Sequence, residues 1–193
     1  SGRVVSVLRE WFPRVEVYSI DESFVTFDGV PAEQREAMAR QARAQILQWV
    51  GIPCCVGIGP TKTLAKLANH CAKKRLAGSE GVCDFAVISD GALSRLFATI
   101  DVGEVWGVGR KIAQRLDEMG IRTVEQLRRT DPDLIRRRFS VVLERTVREL
   151  RGLSCLALEE VAPAKQQIMS SRSFSRLLTE RRELEEAVAS HMA

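Results

Sequence analysis

The sequence predicts an α/β (α+β) region followed by an all-α one, on three observations. Up to about residue 88, short β-rich runs alternate with helically spaced apolar residues. From Ser89 to Arg151 the spacing is helical throughout. Glycines mark the junctions, Gly57 and Gly59 before one helix and Gly107 and Gly109 before another. With 193 residues, 45% hydrophobic and 28% charged, the chain can bury a core and is too balanced for disorder. No apolar run reaches the roughly 18 residues of a membrane span, so no membrane partner is expected.

The elements follow in order. Val4, Val5, Val7, Leu8, Trp11 and Phe12 predict a helix over 3–12, which Pro13 ends. Val15 and Val17, then Phe24, Val25 and Phe27, predict two strands joined by a hairpin at Ser19–Glu22. Pro31 sits where a first helical turn begins, and a helix over 31–50 stops at Gly51-Ile52-Pro53. Residues 54–59 read as a buried strand, which would make Cys54 and Cys55 inert core positions. A helix over 61–75, capped by Thr61, and a strand over 82–88 complete the layer. Helices are expected at 89–97, 109–119, 123–130, 132–138 and 141–151, with Thr123 as a second cap. A domain boundary therefore falls near residue 88, giving 1–87 and 88–152. Residues 153–164 carry few helix signals and read as a linker, with 165–193 holding a strand at 166–175 and a new helix from 180. Trp11, Trp49 and Phe139 are expected in the core.

Charge is distributed unevenly. Residues 61–100 hold six basic and three acidic side chains and 101–151 hold twelve and nine, whereas both ends are slightly acidic. The five cysteines form no CxxC pair, and with two histidines they assemble no zinc set. Scattered thiols in odd number suit a reducing, cytoplasmic setting. Ser1-Gly2-Arg3 has neither an initiator Met nor a signal peptide, and Leu184, Val188 and Met192 recur up to an uncapped end, so the expectation is a fragment.

Three motifs carry chemistry. In Tyr18-Ser19-Ile20-Asp21-Glu22-Ser23-Phe24, two adjacent carboxylates sit at a predicted hairpin tip. Neighbouring side chains on a strand point to opposite faces, so Asp21 and Glu22 converge only where the backbone turns. Carboxylates fixed in this way suit Mg²⁺, although an acidic solvated turn has the same pattern. In the second, Gly57 to Arg75, helical spacing puts Lys62, Lys66 and Lys73 near one face. That face suits a triphosphate, or is simply solvated, and it lacks the spacing of a P-loop. In the third, Val105 to Lys111, a Gly-x-Gly turn feeds a helix N-terminus, where Gly107, Val108 and Gly109 with Arg110 and Lys111 can seat a phosphate of DNA. Tight packing would also explain two such glycines. Arg136-Arg137-Arg138, His70 and His191 read as surface or structural positions.

Taken in order, YSIDESF, GIGPTKTLAKLANHCAKK, VWGVGRKIAQRL and VLERTVRELRG resemble the Y-family translesion DNA polymerases, and their UmuC branch most closely. The resemblance implies a partial palm over 1–87 with a hairpin-borne acidic pair, an all-α helix-hairpin-helix thumb over 88–152, a linker over 153–164 and the start of a little-finger domain over 165–193. It implies that Asp21 and Glu22 are catalytic metal ligands for Mg²⁺ and that Lys73 contacts the nucleotide triphosphate, with weaker claims for Lys66 and Lys62. Gly107, Val108, Gly109, Arg110 and Lys111 would grip the DNA backbone. The implied partners are template-primer DNA and dNTP, with a UmuD′-like subunit, a recombinase filament and a sliding clamp around a bacterial, cytoplasmic enzyme. The family's first metal-binding Asp would precede Ser1 and most of the little finger would follow Ala193. The fragment is therefore expected neither to polymerise nor to hold the two-metal site alone. A non-catalytic relative acting as a DNA-binding or mutasome scaffold is the competing expectation.

Overall fold

A computed structural model describes residues 2–76, 80–159, 173–174 and 181–192. Helix α1 (Gly2–Trp11) leads into strand β1 (Val15–Val17), which pairs antiparallel with β2 (Ser23–Val25), Val15 opposite Val25 and Val17 opposite Ser23. Helix α2 (Ala32–Val50) ends at Gly51, whose φ of 74° is the left-handed cap that glycine adopts without strain. Strand β3 (Val56–Ile58), helix α3 (Lys62–Lys74) and strand β4 (Val82–Asp84) make a crossover unit in which β3 and β4 are parallel. Helices α4 (Asp90–Phe97), α5 (Arg110–Glu118), α6 (Val124–Arg129), α7 (Pro132–Arg138) and α8 (Val141–Leu150) follow, with a 3₁₀ turn at Val102–Glu104. The predicted mixed architecture is present, but its strands form two separate two-stranded pairs among the described residues.

Local chemistry accounts for the helix starts. The Thr61 hydroxyl accepts the Leu64 amide at 3.2 Å, and Thr123 and Gln126 form a reciprocal capping box. Strands are shorter than the apolar runs that predict them. The Cys54 carbonyl is taken by the Arg43 Nε at 2.6 Å rather than by a ladder, so Cys54 and Cys55 are half-buried and precede β3. Strand β4 stops because the Asp84 carboxylate accepts the Ala86 amide at 2.7 Å and turns the chain.

One cluster of buried side chains crosses residue 88, joining Leu64, Leu67, Ala68 and Cys71 of α3 to Phe97, Leu116, Leu127, Ile135 and Val147 of the helical region. Phe12, Val15 and Ala42 form a smaller core with Trp11 against it, whereas Trp49 is 56% exposed and no part of either. Phe139 is half-buried, with the Arg115 guanidinium 4.5 Å from its ring centre. Gly57 and Gly59 bring β3 directly onto α3: a Cβ on Gly57 would lie 2.1 Å from the Asn69 amide nitrogen. A hydrogen bond shared with Cys83, and then burial, hold the Cys71 thiol protonated, in keeping with an inert core position.

Residues 1–161 form one compact unit. The stretch after α8 is not free chain. The Glu149 carboxylate accepts the amides of Cys155 and Leu156 at 3.0 and 3.1 Å, and the Glu16 carboxylate accepts that of Glu159 at 2.6 Å. The second unit, 162–193, is described chiefly by α9 (Arg181–Met192), where Leu184 and Val188 are exposed and Arg181 pairs with Glu185 at 2.7 Å. Apart from residues 173–174, which are not in a strand, the strand expected at 166–175 lies outside the described residues, as does the side chain of His191.

Candidate active site

The β1–β2 connection is closed by its own backbone. The amides of Tyr18 and Ser19 both donate to the Glu22 carbonyl, at 3.1 and 3.0 Å. Ser19 organises the turn from inside: its hydroxyl accepts the Glu22 amide at 3.1 Å and donates to the Asp21 carboxylate at 2.7 Å. That hydroxyl holds the Asp21 carboxyl below the ordinary carboxylate range, helped by Lys73 and Lys66, so Asp21 is an exposed anion at neutral pH. Glu22 is half-buried beside it.

Helix α3 presents its basic face to this turn, and its three predicted lysines have different surroundings. The Lys62 ammonium lies 2.5 Å from the Glu16 carboxylate, both side chains about nine-tenths buried (12% and 9% exposed), and 5.0 Å from the Phe24 ring centre. It is committed to a structural pair. The Lys66 ammonium lies 3.0 Å from Glu22 and stands over two rings, 4.8 Å from the centre of Tyr18 and 4.9 Å from that of Trp106. Lys73 is exposed and has no ion pair to a described residue. Next to Lys66 along the same face, the His70 Nδ1 is 3.2 Å from the Glu104 carboxylate.

The Gly-x-Gly turn opens the way into α5. Gly107 has a φ of 87°, and a Cβ on Gly109 would meet nothing within 4 Å, so tight packing does not explain this pair. The Val108 side chain is 6% exposed and its amide donates to the Val105 carbonyl at 2.9 Å. Val108 thus anchors the turn from below and has no free amide to offer. Arg110 and Lys111 are exposed at the first positions of α5, where helix amides point outward.

Sequence reasoning missed Tyr18, Trp106 and Glu16. The first two lie inside motifs singled out above, 88 residues apart, and meet edge to face with ring centres 5.3 Å apart. Among the described residues no three His, Cys, Asp or Glu side chains converge as a metal site, and no helix is long and apolar enough to cross a membrane.

The impB/mucB/samB family model matches residues 1–70. The chain is similar to Protein UmuC of Salmonella typhimurium, at 48% identity over 100% of this chain and 46% of that one. It is also similar to Protein MucB of Escherichia coli, at 46% identity over 100% and 46%. The chain thus spans about half the length of these relatives. A solved Y-family DNA polymerase chimera built on Dbh shares the fold, with a TM-score of 0.67 and 22% identity over 84% of this chain and 46% of that one.

Proposed function

We propose that the chain is a member of the impB/mucB/samB family, within the UmuC branch of the Y-family DNA polymerases, and that it supplies part of the polymerising site and duplex grip of an error-prone, lesion-bypassing DNA polymerase. We read 1–87 as a partial palm, 88–152 as a thumb, 153–164 as its exit segment and 165–193 as the start of a little finger. The observation that carries this reading is the Ser19-closed turn, which holds Asp21 ionised and exposed, with Lys73 as a nearby cation that has no ion pair to a described residue.

Among the described residues Asp21 offers carboxylate oxygens that no ammonium shares in an ion pair, and Glu22 a second set that it shares with Lys66. Such a donor set fits one side of a hard divalent cation such as Mg²⁺, the other positions falling to water and phosphate oxygens. Bound there, the ion would neutralise phosphate charge during nucleotidyl transfer. Lys73, at the far end of the basic face, meets the triphosphate of the dNTP as a point charge. Lys66 holds Glu22, and Lys62 fixes α3 to β1 through Glu16. The Gly107–Gly109 turn with Arg110 and Lys111 seats the phosphate backbone of template-primer duplex without reading its bases.

The test is single-nucleotide extension of a primed template by the protein at the length of its UmuC relatives, with and without Asp21→Ala. Loss of extension by at least about a hundredfold is expected if Asp21 binds the metal. Near-normal extension would sink that assignment, and a wild type that binds duplex without extending it would favour the scaffold role.

A further inference from the structure

Trp106 touches the acidic hairpin and adjoins the turn proposed to seat the duplex. Its indole stands edge to face with Tyr18, at 85° between ring planes, and its Nε1 donates to the Tyr18 hydroxyl at 3.3 Å. It also leans on Phe24 at 5.7 Å between ring centres. With Tyr18 it walls in the Lys66 ammonium, whose third neighbour is the Glu22 carboxylate. Two residues before Trp106, Glu104 holds His70, one helical turn beyond Lys66 on α3. One residue after it comes Gly107, where the duplex-seating turn starts.

A lysine head group has three donors and a flexible stem, so a single exposed carboxylate leaves it many placements. Two ring faces narrow these, because the cation gains from both only while it stays between them. The Lys66 side chain is 21% exposed and that of Glu22 33%, which gives water limited access to the pair.

We propose that Trp106 is a positioning residue for nucleotide transfer: it clamps Lys66 on Glu22 with Tyr18, and so ties the placement of the acidic pair to the turn that seats the duplex. This rests on the polymerase reading above. The tie is short, because one peptide bond joins Trp106 to Gly107, where the seat starts. Displacement of the seat moves Trp106, and movement of Trp106 releases Lys66. Lys66 is therefore a strut for Glu22, and of the three lysines on that face Lys73 remains for the triphosphate.

The experiment uses the protein at the length of its UmuC relatives, as wild type, Trp106→Leu, Trp106→Phe and Lys66→Met. The first readout needs no substrate: with ¹³C-lysine, the ε-methylene signal missing from Lys66→Met is assigned to Lys66, and the flanking rings shift it upfield. Trp106→Leu should return it toward the shift of a solvated lysine, and Trp106→Phe should keep most of the displacement. The second readout is single-nucleotide incorporation at saturating primer-template. Trp106→Leu should lower kcat about tenfold while the KM for dNTP and the duplex Kd stay within about twofold, and Trp106→Phe should recover to within about threefold of wild type. An unchanged Lys66 signal in Trp106→Leu overturns the clamp, and a loss confined to duplex Kd or to melting temperature overturns the positioning role. A wild type that incorporates nothing overturns the polymerase reading and the coupling with it, whereas an active wild type with an unmoved signal overturns the coupling alone.

Discussion

The carboxylate of Glu149 accepts both the amide and the hydroxyl of Thr63, at 2.9 and 2.7 Å, from a side chain with no solvent exposure at all. Its other oxygen takes two amides of the exit segment, so one buried anion closes the start of α3, the end of α8 and the chain beyond. The open amides of a helix start favour negative charge, which offsets part of the cost of burying a carboxylate that has no ion pair to a described residue.

Replacing that residue should therefore be severe. Glu149→Ala leaves four donors without their acceptor, two of them on buried Thr63, and should cost about 3 kcal/mol or more. Glu149→Gln keeps one oxygen and should cost about 1–3 kcal/mol. The urea midpoint of the two variants checks the order, and equal midpoints for Ala and wild type would contradict it.

The glycines of the two motifs should separate cleanly. Gly57→Ala forces a Cβ to 2.1 Å from the Asn69 amide nitrogen and 2.2 Å from the Ala65 carbonyl oxygen, so β3 and α3 must part. Gly107→Ala, at a φ of 87°, should cost about 1 kcal/mol of backbone strain, and Gly109→Ala, facing open space, about none. Thermal melts should rank them in that order.

Asp84 provides a pH signature. One of its oxygens accepts the Ala86 amide while Oδ2 is buried with no partner among the described residues, and burial pushes its carboxyl above the ordinary value. A folded-state pKa above the unfolded one means that the native chain binds more protons in that window, so Asp84 loses stability as pH rises through it. Asp84→Asn should thus gain about 1 kcal/mol at neutral pH, and the gain should vanish below the ordinary aspartate range. Urea titrations at pH 3.5 and pH 7 test the sign.

Ser19→Ala removes the hydroxyl that holds the Asp21 carboxyl low, so Asp21 should titrate at higher pH than in wild type while staying ionised near neutrality. Carboxyl ¹³C shifts followed against pH read this directly, and an unmoved Asp21 midpoint would dismiss Ser19 as its stabiliser.

Much of this architecture is legible in the chain because local chemistry dictates it. Thr61 and Thr123 mark the helix starts they cap, Gly51 the stop it makes, and the apolar spacing of α3 and α5 their buried faces. The acidic pair is legible as a turn. What escapes is whatever depends on distant packing. Glu149 sits in an amphipathic helix where a glutamate reads as solvated, and only the fold brings Thr63 and the exit segment around it. Cys54 and Cys55 extend an apolar run whose strand is cut short by the Arg43 side chain. Trp49 has the size of a core residue, but α2 carries it outward near its C-terminal end. The meeting of Tyr18 with Trp106 has no periodicity to announce it.

The bare backbone of Gly57 and Gly59 under α3 also fixes where error can enter the site. Between most helices and sheets lies a layer of side chains whose repacking shifts one element against the other. Here main chain rests on main chain, so the helix bearing Lys62, Lys66 and Lys73 is registered against a surface that core mutations do not resize. The placement of these ammonium groups relative to β3 should therefore drift little as the surrounding apolar residues vary, which leaves the core free to diversify while the basic face keeps its register.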